Sequence, residues 1–370
     1  MDIEKWWTEK MCNNLSKRTI TKENGEMKYL LANFSGTEQK IDIEKNTYTI
    51  GDFYRIKDNL KSDPNNLEQL EKAVKEQFDM PQWASKRLGL SLSDCNLTFM
   101  PQTKTCNLYC PWCFVDDKNK NGKKENGEFF STKEIIDALE DSRKTQTIHV
   151  IRRSGGEPLL APWQWLDNLY DLAKRGLDKE IYFQGETNLT TGHFIDYLQK
   201  QEQLDKKFFE KVAEYNNFGV LCSFKGTDME SNLKSIGFSR KDGTPNKKFA
   251  FLEEERWYTF RKMVNAGIDV YPFVYDPNPN TLIPFLERGR KEFGAEFISK
   301  TWIFPLKLYG PEKTRLQKKG IDKDIFQKQL DENFEIANEM MYDLVPKVTG
   351  HEYKAIPRTE IKIKPGKERV

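Results

Sequence analysis

The sequence has 370 residues, 59 of them basic and 57 acidic, for a formal net charge of +2. That length suits one large domain with additions, or two to three domains, around a substantial core. The near-neutral balance argues against a dedicated nucleic-acid binder, no apolar run reaches membrane length, and the start Met1-Asp2-Ile3-Glu4-Lys5 lacks a secretory pattern, so a cytoplasmic protein is expected.

In chain order, residues 1–94 read as an N-terminal accessory region. Trp6-Trp7 stands in a short amphipathic start and is expected in a core, with a partner-binding role as the alternative. Tyr48 to Arg55 alternates like a strand, and Asn65 to Phe78 has helical spacing through Leu67, Leu70, Ala73 and Val74. From residue 95 strands and helices alternate. Leu97 to Gln102 reads as a strand running into the cysteines. Asp116 to Glu128, rich in Lys, Asn and Gly, reads as a solvated loop. Ser131 with Glu134 makes a capping-box signature for a helix over Lys133 to Leu139. Strands are expected over Thr147 to Arg153, Glu180 to Gln184, Gly219 to Lys225, Ile268 to Tyr275 and Thr301 to Leu306. Helices are expected after Pro162, closed by Gly176, and over Lys206 to Tyr215, Leu252 to Asn265 and Leu282 to Phe293. Six strands interleaved with helices imply a parallel α/β sheet, either open or curled into a partial (β/α)6 barrel, over residues 95–310. Residues 311–370 read as a C-terminal extension, with a helix over Asp324 to Leu344 and a closing strand over Tyr353 to Ile363.

The chemistry gathers where strands end, as parallel α/β folds favour. Three of the six cysteines, Cys106, Cys110 and Cys113, fall in the run CNLYCPWC. Thiolates on one short loop suit an iron–sulfur cluster. A closed zinc site would ask for a fourth ligand, and there is no second cysteine pair, while His149, His193 and His351 are scattered; on spacing alone zinc stays open. Arg152-Arg153-Ser154-Gly155-Gly156-Glu157 ends the next strand, with glycines that let a backbone approach a ligand. Gly185-Glu186-Thr187-Asn188 and Ser223-Phe224-Lys225-Gly226 end the two after it, each a binding end or an ordinary turn.

Together these segments resemble the radical S-adenosylmethionine (radical SAM) enzymes. CxxxCxxC, with Trp112 before the last cysteine, is similar to the family's cluster motif, and Gly155-Gly156-Glu157 to its glycine-glycine-glutamate motif. The order of the later segments is similar to the activating-enzyme branch, although Ser223 stands where that branch often has an acidic residue. The resemblance implies a TIM-barrel-like fold and a 4Fe-4S cluster on Cys106, Cys110 and Cys113. It implies reductive cleavage of S-adenosylmethionine to a 5′-deoxyadenosyl radical that abstracts hydrogen from a substrate. Gly155, Gly156, Glu157, Glu186, Asn188, Ser223 and Lys225 would then hold the methionyl and ribose groups, with Trp112 near the adenine. No cysteine follows Cys222, so residues 223–370 offer no thiolates for a second cluster.

The substrate is less legible. Arg152 and Arg153 are neighbours on a strand and face opposite ways. The one facing inward needs an anion, either from the substrate or from an internal carboxylate. Tyr271, Tyr275 and Lys307 are further candidates to line the cavity. Lys118, Lys120, Lys123 and Lys124 form either a solvated loop or a docking patch for an acidic electron donor such as flavodoxin or ferredoxin. The leading expectation is a radical enzyme, whether oxidoreductase, transferase or lyase, acting on an unidentified polar small molecule or peptide side chain. The alternatives are an activating enzyme for a glycyl radical partner, and a tRNA-modifying enzyme with a basic face around Lys313 to Lys323.

Overall fold

A computed structural model of the chain describes residues 2–34, 37, 52–55, 80–91, 94–95, 97–240, 242–308 and 310–365. The helix expected over Asn65 to Phe78 lies outside the described residues, as does the start of the strand expected over Tyr48 to Arg55.

Among the described residues eleven strands form one mixed sheet: β1 (Ile20–Glu23), β2 (Glu26–Ala32), β3 (Asp52–Arg55), β4 (Leu97–Met100), β5 (Gln102–Thr103), β6 (Gly127–Ser131), β7 (Val150–Gly155), β8 (Tyr182–Thr187), β9 (Phe218–Lys225), β10 (Val270–Tyr275) and β11 (Trp302–Phe304). The centre is parallel and follows the chain. β4 and β5 both pair β7, and β8, β9, β10 and β11 follow in order. Among the described residues nothing pairs the far side of β11, so the sheet curls as a partial (β/α)6 barrel and does not close. The expected strand over Leu97 to Gln102 is split at Pro101, which has no N–H to give to a ladder. β3 pairs antiparallel with β4, while β2 pairs antiparallel with β1, β5 and β6.

Register decides which residues look inward. Arg152 lies beside Gln184, Glu186 beside Leu221, Ser223 beside Phe273 and Lys225 beside Tyr275. With a side-chain period of two, one face carries Arg152, Ser154, Gln184, Glu186, Ser223, Lys225, Phe273 and Tyr275. The other face carries Ile151, Phe183, Val220, Phe224 and Val274, all buried. Helices cover it: Phe224 packs on Trp257, Phe285 and Phe297. The helix Thr132–Arg143 starts at the expected capping box of Ser131 and Glu134, and the helix Trp163–Lys174 ends before Gly176, whose φ is 71°.

The end of the barrel away from the cysteines is plugged by the helix Met80–Leu88. Trp83 stacks on Tyr271 with ring centroids 3.8 Å apart, and Arg87 pairs with Asp269 at 2.7 Å. Asp269 also takes Lys300 and the Tyr271 hydroxyl, so two cations share one buried carboxylate at this end. Trp7 is buried against Phe238, Phe249 and Phe251, as its core reading expects.

The C-terminal helix runs Lys323–Thr349. The closing strand expected over Tyr353 to Ile363 is not formed; those residues are turns and irregular chain. Tyr353 stacks on Trp302, and Arg358 lies 4.8 Å from both ring centroids and donates to Tyr353 O at 2.6 Å. These contacts fold the segment back on itself, and Pro357 removes a donor that a ladder would need. Among the described residues no helix is long and apolar enough to cross a membrane.

Candidate functional site

The cysteine loop follows β5 at the C-terminal end of the parallel strands. Its backbone groups cannot join the sheet and take partners from two other segments. Cys106 N donates to Lys120 O at 3.1 Å, Gly122 N to Lys104 O at 2.8 Å, and Tyr109 N to Ile236 O at 3.0 Å. The stretch after the cysteines is therefore not wholly solvated as expected. Asn119 and Lys120 are buried, and Lys120 pairs with Asp117 at 3.1 Å. Lys118, Lys123 and Lys124 are exposed.

The three thiols lie within electrostatic reach of one another. Burial pushes the Cys106 thiol up to about 12, and repulsion from Cys110 and Cys113 adds to this. Burial also raises Cys110, against the opposing pull of Lys225, Lys120 and Arg315. Among the described residues, no three ligating side chains converge to hold a single metal ion. A cuboidal cluster asks for something else, since each thiolate binds its own iron around a shared volume. Thiolates must shed protons to bind metal, and the three nearby cations favour that. The donor set fits a cluster.

Gly155 has φ 96°, and a Cβ on Gly156 would stand 1.9 Å from Thr105 O. This contact demands glycine: Gly156 N donates to Thr103 O at 2.8 Å and Glu157 N to Thr105 O at 2.6 Å, stitching the end of β7 to the start of the cysteine loop. Glu157 is fully buried beneath that loop. Its carboxylate accepts Asn188 N at 2.6 Å and Leu159 N at 3.0 Å. Burial lifts it to about 7 against those bonds, a Thr187 bond and Lys225. Asn188 reaches Asn107 Oδ1 at 2.9 Å and Cys106 Sγ at 3.9 Å, and accepts from Thr190. Both residues, expected against a ligand, are engaged in supporting the cysteine loop.

Trp112, Lys225 and Tyr275 form the mouth. Trp112 and Tyr275 stack with centroids 5.6 Å apart, and Lys225 Nζ lies 4.6 Å from one ring and 5.1 Å from the other. Ser223 is one inward position deeper on the same strand. Arg152 and Glu186 pair across β7 and β8 on the inward face, and Glu186 also accepts Ser154 Oγ at 2.7 Å and Gln184 Nε2 at 3.1 Å.

Three other expected residues are not brought to this mouth. Arg153 faces the covering helix, fully buried, with Nε 2.9 Å from Gln164 Oε1, and burial lowers it to about 9. Tyr271 sits at the plugged end against Trp83. Lys307 is exposed and pairs with Asp331 at 2.9 Å.

Three supporting residues were not singled out from sequence. Asn107 links Asn188 to Thr190 and lies 3.7 Å from the Sγ of fully buried Cys12. Lys104 is buried and donates to Lys118 O and Asn121. Arg315, on the helix Gly310–Lys318, donates to Cys113 O at 2.8 Å and Val115 O at 2.9 Å. Lys104 and Arg315 stand in no motif; Asn107 lies within CNLYCPWC, and its adjacency to Cys106 was the one signal.

The family model described as Radical SAM superfamily matches residues 100–280, the stretch holding β5 through β10 and all three cysteines. No curated protein matches the sequence. Members of this superfamily are enzymes that need a reductant and a substrate. Residues 100–280 of this chain are a domain of the radical SAM superfamily, whose members use a 4Fe-4S cluster and S-adenosylmethionine.

Proposed function

We propose that the chain is a radical enzyme in which Cys106, Cys110 and Cys113 hold the cluster, S-adenosylmethionine binds across the mouth, and a polar substrate enters the inward face of β7 to β9. The observation that carries this reading is the placing of Cys106, Cys110 and Cys113 on one loop beside the Trp112–Tyr275–Lys225 group, at the strand ends of a superfamily domain. When bound, the two cofactors supply a carbon-centred radical able to abstract hydrogen.

The protein's own residues bind and shield. Lys225 offers a cation to a ligand carboxylate, and Trp112 with Tyr275 offers aromatic surface to an adenine. Glu157 and Asn188 hold the cysteine loop over the strand ends. The plug around Trp83 closes the opposite end, limiting water access. Arg152, Glu186 and Gln184 make the inward face polar. Gln184 is fully buried, and its Oε1 has no partner among the described residues, which favours a substrate that donates a hydrogen bond there.

The reductant is read as an acidic flavoprotein or ferredoxin. Tyr109 and Phe114, exposed at 53% and 39%, flank the cysteines beside Lys118, Lys123 and Lys124. Charge reversal at Lys123 and Lys124 should slow reduction by flavodoxin at low salt, and an unchanged rate would remove this part of the reading.

The decisive test is anaerobic reconstitution with iron and sulfide, followed by dithionite and S-adenosylmethionine. The reading expects 5′-deoxyadenosine from the parent chain. A yield no greater than that of a Cys110→Ala control would overturn it.

A further inference from the structure

Arg315 reaches the cysteine loop from about 200 residues away in sequence. Its Nη1 donates to Cys113 O at 2.8 Å and Pro111 O at 3.2 Å, with Cys110 O at 3.4 Å, and its Nη2 donates to Val115 O at 2.9 Å. The same guanidinium meets Asp117 at 3.0 Å. Arg315 is only 7% exposed, although it stands in a stretch whose basic character suggested an outward face. One fork of donors thus gathers carbonyls across the last two cysteines, a geometry that lysine cannot reproduce.

We propose that Arg315 is a positioning residue for the cluster: it fixes the shape of the Cys110–Val115 loop and, with Asp117 as a partial counter-charge, tunes how readily the cluster is reduced. This rests on the reading that the three cysteines hold the cluster. Reduction adds negative charge, so a fixed cation beside the loop favours the reduced form and an anion opposes it. Local charge and hydrogen bonding are established determinants of cluster potential, and groups that orient ligands hold metal more strongly than their distance suggests. The helix Gly310–Lys318 lies outside the superfamily domain, so the C-terminal segment would act as a strap on the radical-generating loop.

The test uses the full chain, reconstituted anaerobically, as parent, Arg315→Gln, Arg315→Lys and Asp117→Asn. The readouts are the midpoint potential, followed by electron paramagnetic resonance, and iron retention against a chelator. Arg315→Gln should move the potential negative and shorten retention ~10-fold or more. Asp117→Asn should move the potential in the positive direction. Arg315→Lys should restore much of the potential but not the retention. Shifts of Arg315→Gln and Asp117→Asn in the same direction, or no shift in either, would overturn the proposal. If Arg315→Gln does not fold, the exposed Asp117→Asn substitution decides by the sign of its shift alone. A parent chain that takes up no iron would overturn the underlying cluster reading too, whereas a loaded parent indifferent to both positions overturns only the role of Arg315.

Discussion

Glu157 accepts the backbone N–H of Asn188 at 2.6 Å, tying the turn after β7 to the turn after β8 directly beneath Cys106. Its burial holds it near 7, above the ordinary 4.5. The folded state therefore keeps the proton more tightly than the unfolded chain. Stability from this group is fully present below about 4.5 and is lost as pH rises through about 7. Glu157→Gln should flatten that fall, on the order of 3 kcal/mol, when urea unfolding of the cluster-free chain is compared at pH 5 and pH 8. An unchanged difference between the two pH values would count against the buried, protonated Glu157.

Gly156 faces Thr105 O so closely that a methyl group cannot fit without moving the start of the cysteine loop. Gly156→Ala should lower iron uptake sharply while far-ultraviolet circular dichroism stays near that of the parent, because the strain falls on one turn. Normal iron uptake would mean that the turn yields more easily than its packing indicates.

Arg152 and Glu186 are both half-buried, and removing either takes a charged partner from the other. Arg152→Met and Glu186→Gln should each cost roughly 1–3 kcal/mol. The double variant should cost less than their sum. A double-mutant cycle by denaturant titration checks this, with a coupling under about 0.5 kcal/mol as the contrary result.

Trp83 seals the plugged end through its stack on Tyr271. Trp83→Ala should cost about 3–5 kcal/mol, measurable as a lowered urea midpoint at constant slope. Loss of only a few tenths would show that the helix Met80–Leu88 contributes little to the barrel.

The alternation of strands and helices from residue 97 onward was readable because buried parallel strands are short apolar runs and covering helices carry a 3.6 period. Pro162, Gly176 and the Ser131–Glu134 box mark their own boundaries through backbone chemistry that any fold must respect. β6 was hidden in a stretch rich in Lys, Asn and Gly, where composition favours a loop and only pairing with β2 makes a strand. The strand expected at Tyr353 failed for the opposite reason: tertiary contacts with Trp302 outweighed its local preference.

The cysteine spacing by itself specified thiolate chemistry, since CxxxCxxC keeps three thiols within one short loop in any fold. Spacing could not say which polar residues pair beneath that loop and which stand at its mouth. Glu157 and Asn188 are drawn under the loop because its backbone and side chains need buried hydrogen-bond partners, whereas Lys225 is left at the mouth beside Trp112. Arg315 reaches the loop from about 200 residues away, a contact without local periodicity, so only the folded chain brings its charge to Cys110.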